Sequence, residues 1–197
     1  MNQARNTRQT LLLKIRDQYN DAAWEEFIAF YRPYVYRVIQ NLEQIKFEDR
    51  EDVIQEVILI AWKKLPDFDY QPQKGRFRSW LSVITHRTAN NYYHKSKKAS
   101  VFKSHLEAEE LEKGLPPEIE KLCQQEWEKH VSEAAWTNIS DKFEVKVLQA
   151  FQKLASGEKG EQVALELGLS RNSVYVYKKR VMAALQKEIA YLDEELR

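Results

Sequence analysis

Residues 160–180 read GEQVALELGLSRNSVYVYKKR, and the spacing of four of them decides how the last quarter of the chain folds. Ala164 is small where a second helix must cross closely, Gly168 supplies the left-handed backbone that ends a first helix, and Ser170 is placed to cap the second. Val174 then plugs the angle between them. That order of small residue, glycine, cap and apolar plug predicts a helix-turn-helix at about 160–180; the plainer alternative is a helical hairpin with a solvated basic face. In a helix-turn-helix the second helix would present Tyr175, Val176, Lys179 and Arg180 to a major groove. Arg171, Asn172, Ser173 and Lys178 would lie near phosphates.

Working outward from that segment, the remaining apolar periodicities are also helical. Trp127, Val131, Ala134 and Ala135 suggest one amphipathic helix, and Phe143, Val147, Leu148 and Phe151 another before Ser156 and Gly157 interrupt. Between about Ser96 and Gln125 the sequence is polar and Glu-rich around Gly114-Leu115-Pro116-Pro117, which reads as a linker with one short helix. Upstream, Trp24, Phe27, Ile28, Tyr31, Val35, Val38, Ile39 and Leu42 keep three-and-four spacing. They predict one long helix with Asp21 as N-cap, bent rather than straight, with a kink or break near Arg32 because Pro33 lies inside it. Asp49 to Leu65 predicts a second helix, with Val53, Ile54, Val57, Ile58, Ala61 and Leu65 on one face and Pro66 as its stop. Residues 67–75 read as a loop, and Phe77, Trp80, Leu81, Ile84 and Thr88 mark a third helix. Its other side carries Arg78, Arg87, Asn90, Asn91, Tyr92 and Tyr93. With no alternating strand pattern and no repeat, the expectation is an all-α chain of two small helical domains, 1–97 and 126–197, joined by an acidic linker at 98–125.

Composition bounds the function. At 197 residues, 43% hydrophobic and 31% charged, the chain is globular rather than disordered. The longest fully apolar run, Val57 to Trp62, is far short of the ~20 residues that cross a bilayer. The single cysteine, Cys123, and the absence of a charged-then-apolar leader point to a cytoplasmic protein with no membrane partner. Net charge is +1, but its distribution is uneven. From Lys63 to Lys103 ten Lys or Arg stand against two Asp, from Ser104 to Glu133 nine Glu stand against three Lys, and from Ser170 to Lys187 five Lys or Arg stand with no acid. Basic, acidic, basic suggests two modules that face a polyanion.

The residues Glu51-Asp52-Val53-Ile54-Gln55-Glu56-Val57 with Ala61-Trp62, then Gly75-Arg76-Phe77-Arg78-Ser79-Trp80-Leu81, then the helix-turn-helix, carry a resemblance over most of residues 10–185. The chain resembles a bacterial RNA polymerase sigma factor of the sigma-70 family, in the short two-domain form of the extracytoplasmic-function group. The resemblance implies that the first domain is region 2, which binds the polymerase and melts the minus-ten element, and the second is region 4, which reads the minus-35 element. It implies core RNA polymerase and promoter DNA as partners, with an anti-sigma protein or another recruiting regulator as a further partner. Asp52, Gln55 and Glu56 match the family's contact with the coiled-coil clamp of the largest polymerase subunits. As plain chemistry, acids at positions 49, 51 and 52 also favour a helix N-terminus by ~0.3–1 kcal/mol each.

Melting needs faces that catch an extruded base, and aromatic rings with Lys or Arg do so at ~1–3 kcal/mol per base. Tyr70, Lys74, Arg76, Arg87, Asn90, Asn91 and Tyr92 are the minus-ten candidates, whereas Phe77 and Trp80 fall on the buried stripe. Arg87 stands where many relatives carry Asn, two residues before Ala89. Asp67 and Asp69 are better read as turn formers than as metal ligands. His86, His94, His105 and His130 show no i,i+4 pairing, and neither a Gly-rich phosphate loop nor a Ser-His-Asp framework is legible. The expectation is therefore no enzyme, no cofactor and no metal. The rival from another class is a stand-alone helix-turn-helix transcription regulator whose first domain is a sensing or dimerisation bundle.

Overall fold

The structure, a computed structural model, describes residues 11, 14, 15, 20–66, 68, 77–97 and 114–194. It is all-α, with no strand among the described residues. The helices are α1 (Asp21–Gln40), α2 (Arg50–Lys64), α3 (Phe77–Lys97), α4 (Pro117–Ser140), α5 (Val145–Ala155), α6 (Gly160–Leu167) and α7 (Arg171–Glu194), with a 3-10 turn at Phe47–Asp49 before α2. Two compact units divide at His130/Val131.

In the first unit α1, α2 and α3 pack on one another. The stripe read from the sequence is the buried one: Trp24, Phe27, Tyr31, Val35, Val38 and Ile39 of α1, and Val53, Ile54, Val57 and Ala61 of α2. One expectation changes. Asn20, not Asp21, caps α1, its side chain accepting from the Ala23 N–H at 3.1 Å, while Asp21 falls in the first turn, where its charge suits the helix dipole. α1 is one element, as expected, and runs through Pro33 unbroken to Gln40. Pro33 and Ala29, whose carbonyl loses its helical partner, are both exposed, so water can serve the orphaned acceptor.

Aromatic rings fill the centre. Phe27 lies 4.7 Å from Tyr31, and Phe77 of α3 lies 5.2 Å from Tyr31, centroid to centroid. The first turns of α4 belong to this core. Trp127 meets Tyr34 edge-on at 5.2 Å and His130 lies 4.7 Å from Phe30. The Tyr34 hydroxyl shares a 2.6 Å hydrogen bond with Ser82 Oγ, and Ser82 Oγ donates to the Arg78 carbonyl at 2.7 Å. Burial pushes both the Tyr34 hydroxyl and the nearby Cys123 thiol up, so Cys123 is an inert core residue. Of the expected linker at 98–125, residues 98–113 lie outside the described residues, and 117–125 begin α4. The expected second domain began at 126, whereas Trp127 falls in the first unit because its ring completes that unit's core.

The second unit runs from Val131 to Glu194, with α7 packed on α5 and α6. Its core is two small clusters: Ile139, Val147, Phe151 and Val181, and then Ala150, Val163, Ala164 and Val174. Lys153 of α5 braces them from outside, reaching Glu158 at 3.2 Å and Glu166 of α6 at 2.6 Å.

Candidate nucleic-acid interface and an unpartnered acidic face

The turn between α6 and α7 is closed by backbone geometry. Gly168 has φ +59°, and the Leu169 N–H donates to the Ala164 carbonyl at 2.8 Å, the six-to-one bond of a glycine C-cap. Ser170 Oγ accepts from the Ser173 N–H at 3.0 Å and so caps α7. Ala164 and Val174 are buried together in one cluster, in the roles of close crossing and plug. The helix-turn-helix geometry is thus present at the expected residues.

A glycine the sequence reading passed over does related work. A Cβ on Gly160 would sit 2.7 Å from Tyr175 Oη, so glycine there is what lets the Tyr175 ring lie over the start of α6. The signal was the Gly160–Tyr175 separation, legible only once the helices cross.

On the outside of α7, Tyr175 and Val176 are 45% and 44% exposed. Asn172, Lys179 and Arg180 are exposed beside them, while Lys178 is half-buried. Ser173 is engaged locally, its Oγ 2.8 Å from that of Ser170. Arg171 is held by Glu161 of α6, Nε to Oε1 at 3.0 Å.

In the first unit the minus-ten candidates divide. Tyr70, Lys74 and Arg76 lie outside the described residues, as do Asp67 and Asp69. Arg87, Asn90, Asn91 and Tyr92 come together on the second half of α3, all half-buried. Two of them brace the fold: Gln44 Nε2 donates to Asn90 Oδ1 at 3.0 Å, and Tyr92 donates to Asp49 Oδ1 at 3.0 Å. The Tyr92 hydroxyl is held above its ordinary range by burial, then by the hydrogen bond to Asp49 and the negative charges of Asp49, Asp52 and Glu56. Phe77 is fully buried, and Trp80 is half-buried, 4.7 Å from Phe68 and 5.2 Å from Phe77.

On α2, Asp52 and Gln55 are exposed and Glu56 is half-buried, and none of the three has a hydrogen-bonding or ion-pairing partner among the described residues. Their neighbour Glu51 is different: both its oxygens take Arg32 Nη2 at 2.7 Å. Beside Gln55 runs an open groove of about 570 Å³ between α1 and α2, walled by Trp24, Ile28, Ile54, Ile58, Leu59 and Trp62. Leu59 is 48% exposed and Trp62 36%. The sequence reading missed this groove, although its signal was present. Six successive apolar residues from Val57 to Trp62 cannot all face one core on a helix of 3.6 residues per turn, so some must line a second surface.

Among the described residues no three His, Cys, Asp or Glu side chains converge to hold a metal ion, and no helix is long and apolar enough to cross a membrane.

Comparison with known proteins bears on the first unit. No curated protein matches the chain. Among solved structures, one described as the structure of CnrH in complex with the cytosolic domain of CnrY is similar, at 21% identity over 94% of this chain and 97% of that chain, with a TM-score of 0.37. The family model for sigma-70 region 2 matches residues 27–99, which takes in most of α1, all of α2 and all of α3. The matched segment lies within the first helical unit.

Proposed function

We propose that the chain is a sigma factor of the extracytoplasmic-function group: a dissociable subunit that binds core RNA polymerase and directs initiation at promoters with minus-35 and minus-ten elements. The observation that carries this reading is the sigma-70 region 2 match over residues 27–99. Two features support it. Asp52, Gln55 and Glu56 form an acidic, polar face without hydrogen-bonding or ion-pairing partners among the described residues, beside an apolar groove. Such a surface suits a basic, partly apolar helical clamp on the polymerase, where charge steers the encounter and burial of Leu59 and Trp62 adds affinity. At the other end, the helix-turn-helix offers Tyr175, Val176, Lys179 and Arg180 to base edges, the arrangement that reads a major groove.

In this scheme α3 and the loop before it take the unpaired minus-ten strand, with Arg87, Asn91 and the loop's Tyr70, Lys74 and Arg76 as contacts. Asn90 and Tyr92 hold that surface in shape through Gln44 and Asp49. The protein performs no covalent chemistry and takes no cofactor; it works by differential binding of the open promoter. Each DNA contact is weak alone, and polymerase makes them act together as linked sites of high effective concentration. An anti-sigma protein or another recruiting regulator completes the partners, and the compartment is the cytoplasm.

The test mixes the purified chain with sigma-free core RNA polymerase and a genomic promoter library and maps transcript starts. Discrete starts that share two upstream elements are expected. Failure to bind core polymerase, with a palindromic footprint from the chain alone, would favour a stand-alone dimeric regulator instead.

A further inference from the structure

The first unit holds a second, smaller cavity of about 150 Å³, where the first turns of α3 and α4 meet α1. It shares no lining residue with the groove between α1 and α2. Its floor is polar and comes from all three helices: Tyr34 of α1, Ser82 of α3 and Cys123 of α4 are 0%, 3% and 4% exposed. The Tyr34 hydroxyl shares a 2.6 Å hydrogen bond with Ser82 Oγ and reaches the Cys123 carbonyl at 3.4 Å. Burial keeps the Cys123 thiol protonated, so the floor carries no charge of its own.

The sides carry one charge of each sign. Arg78, in the first turn of α3, has its guanidinium carbon 5.8 Å from the centre of the Trp127 ring, and Glu120 stands in the first turn of α4. Both act on the Cys123 thiol, Arg78 lowering its pKa and Glu120 raising it, which sets the two charges near the same floor. Val83 and Leu115 add apolar wall. That composition selects an occupant by charge. A small anion is repelled by Glu120, a small cation by Arg78, and an apolar molecule leaves the buried polar floor without water. A zwitterion satisfies both signs at once. A cavity of this volume takes a molecule of about benzene's size, roughly six to ten non-hydrogen atoms, which is the range of the smaller free amino acids.

We infer that this cavity is a binding site for a small zwitterion of the free α-amino acid class, with its carboxylate toward Arg78, its ammonium toward Glu120 and its short side chain against Val83 and Leu115. The site stands apart from the surfaces assigned to polymerase and DNA, and its test does not depend on them. Gly114 and Leu115 border it just before α4, so an occupant fixes the start of that helix against α3.

The experiment records proton–nitrogen correlation spectra of the full chain during titration with free alanine, serine or valine at millimolar concentration. Saturable shifts of the Ser82, Gly114 and Leu115 amides are expected, with the amides of α6 and α7 unmoved. Propylamine, which lacks the carboxylate, should bind at least about tenfold more weakly than alanine, the loss of a charged hydrogen bond. Propionate, which lacks the ammonium, should bind about 2- to 5-fold more weakly, because Glu120 is exposed. In Glu120→Gln that second preference should vanish, so that alanine and propionate bind alike. Val83→Phe places a ring in the cavity and should abolish the shifts. The proposal is overturned if propionate or propylamine binds the wild-type chain as well as alanine does, if the preference for alanine over propionate survives Glu120→Gln, or if folded Val83→Phe still binds. It is also overturned if none of the three amino acids moves these amides, in which case the cavity holds only water. The ligand series on the wild-type chain needs no variant, so it decides even where Val83→Phe fails to fold.

Discussion

The two helical units use their polar side chains in opposite ways. In the first, a core of large rings, Phe27, Tyr31, Tyr34, Phe77 and Trp127, is wrapped by internal polar braces, so that Asn90 and Tyr92 are turned to the loop before α2. The second closes on two clusters of four buried residues each, in which Phe151 is the single aromatic, and leaves Lys179 and Arg180 to solvent. The difference follows from size and task. A larger unit buries a higher fraction of its surface, polar side chains such as Ser82, Thr85 and Thr88 included, while a small one buries less and carries function on the remainder. On α2, where Asp52, Gln55 and Glu56 have no hydrogen-bonding or ion-pairing partner among the described residues, the first unit resembles the second.

The largest expected effect tests where the first unit ends. Trp127→Ala should cost about 3–5 kcal/mol, the range for deleting a buried large aromatic. Hydrogen exchange should locate that loss in α1 and α3, against which the ring packs. Loss of protection in α6 and α7 instead, with α1 and α3 unchanged, would return Trp127 to the second unit.

Next in size are the DNA contacts. Lys179→Ala or Arg180→Ala should weaken holoenzyme at promoters by about 1–3 kcal/mol through the upstream element, without changing strand opening once bound. Arg76→Ala should do the reverse, lowering permanganate reactivity of minus-ten thymines. Unchanged reactivity would remove Arg76 from the melting surface.

A smaller effect separates two glycines. Gly168→Ala meets nothing within 4 Å, so its cost is backbone strain at φ +59°, about 1–2 kcal/mol in thermal unfolding of the second unit, with DNA selection unchanged. Gly160→Ala would instead drive a Cβ against the Tyr175 ring, and should alter selection at the upstream element. If both variants lose only stability, the Tyr175 platform has no part in reading DNA.

What was legible in the sequence follows from the range of the interactions. The helix-turn-helix was readable because its parts, Ala164, Gly168, Ser170 and Val174, act within ten residues of one another, each with a local backbone reason. The buried stripes of α1 and α2 were readable from periodicity for the same cause. Contacts between distant segments left no such trace. Nothing local says that Tyr92 meets Asp49, that Trp127 joins the core of α1, or that Glu161 faces Arg171. The N-cap was misjudged because Asn20 and Asp21 are adjacent and both are good caps.

The smallest effect tests the claim that the braces of the first unit are structural. Gln44 donates to Asn90 Oδ1, so the Asn90 amide nitrogen, 3.2 Å from His86 Nε2, must be the donor in that second bond, and the imidazole must accept. Protonation of Nε2 would set two donors face to face. Consistent with this, burial, followed by the charge of Arg87, holds His86 below the ordinary imidazole range. Above about pH 6.5 both folded and unfolded chains hold this imidazole neutral, and its contribution is fully present. Below that pH the unfolded chain takes up the proton first, so stability falls with pH until the folded pKa is passed, then levels off with respect to this group. Urea unfolding of the wild-type chain and of His86→Gln, compared between pH 7.5 and 5.5, should show a steeper loss in the wild type. Equal slopes in the two proteins would mean that the Gln44–Asn90–His86 chain does not hold the fold, and Asn90 would return to the residues available for the minus-ten strand.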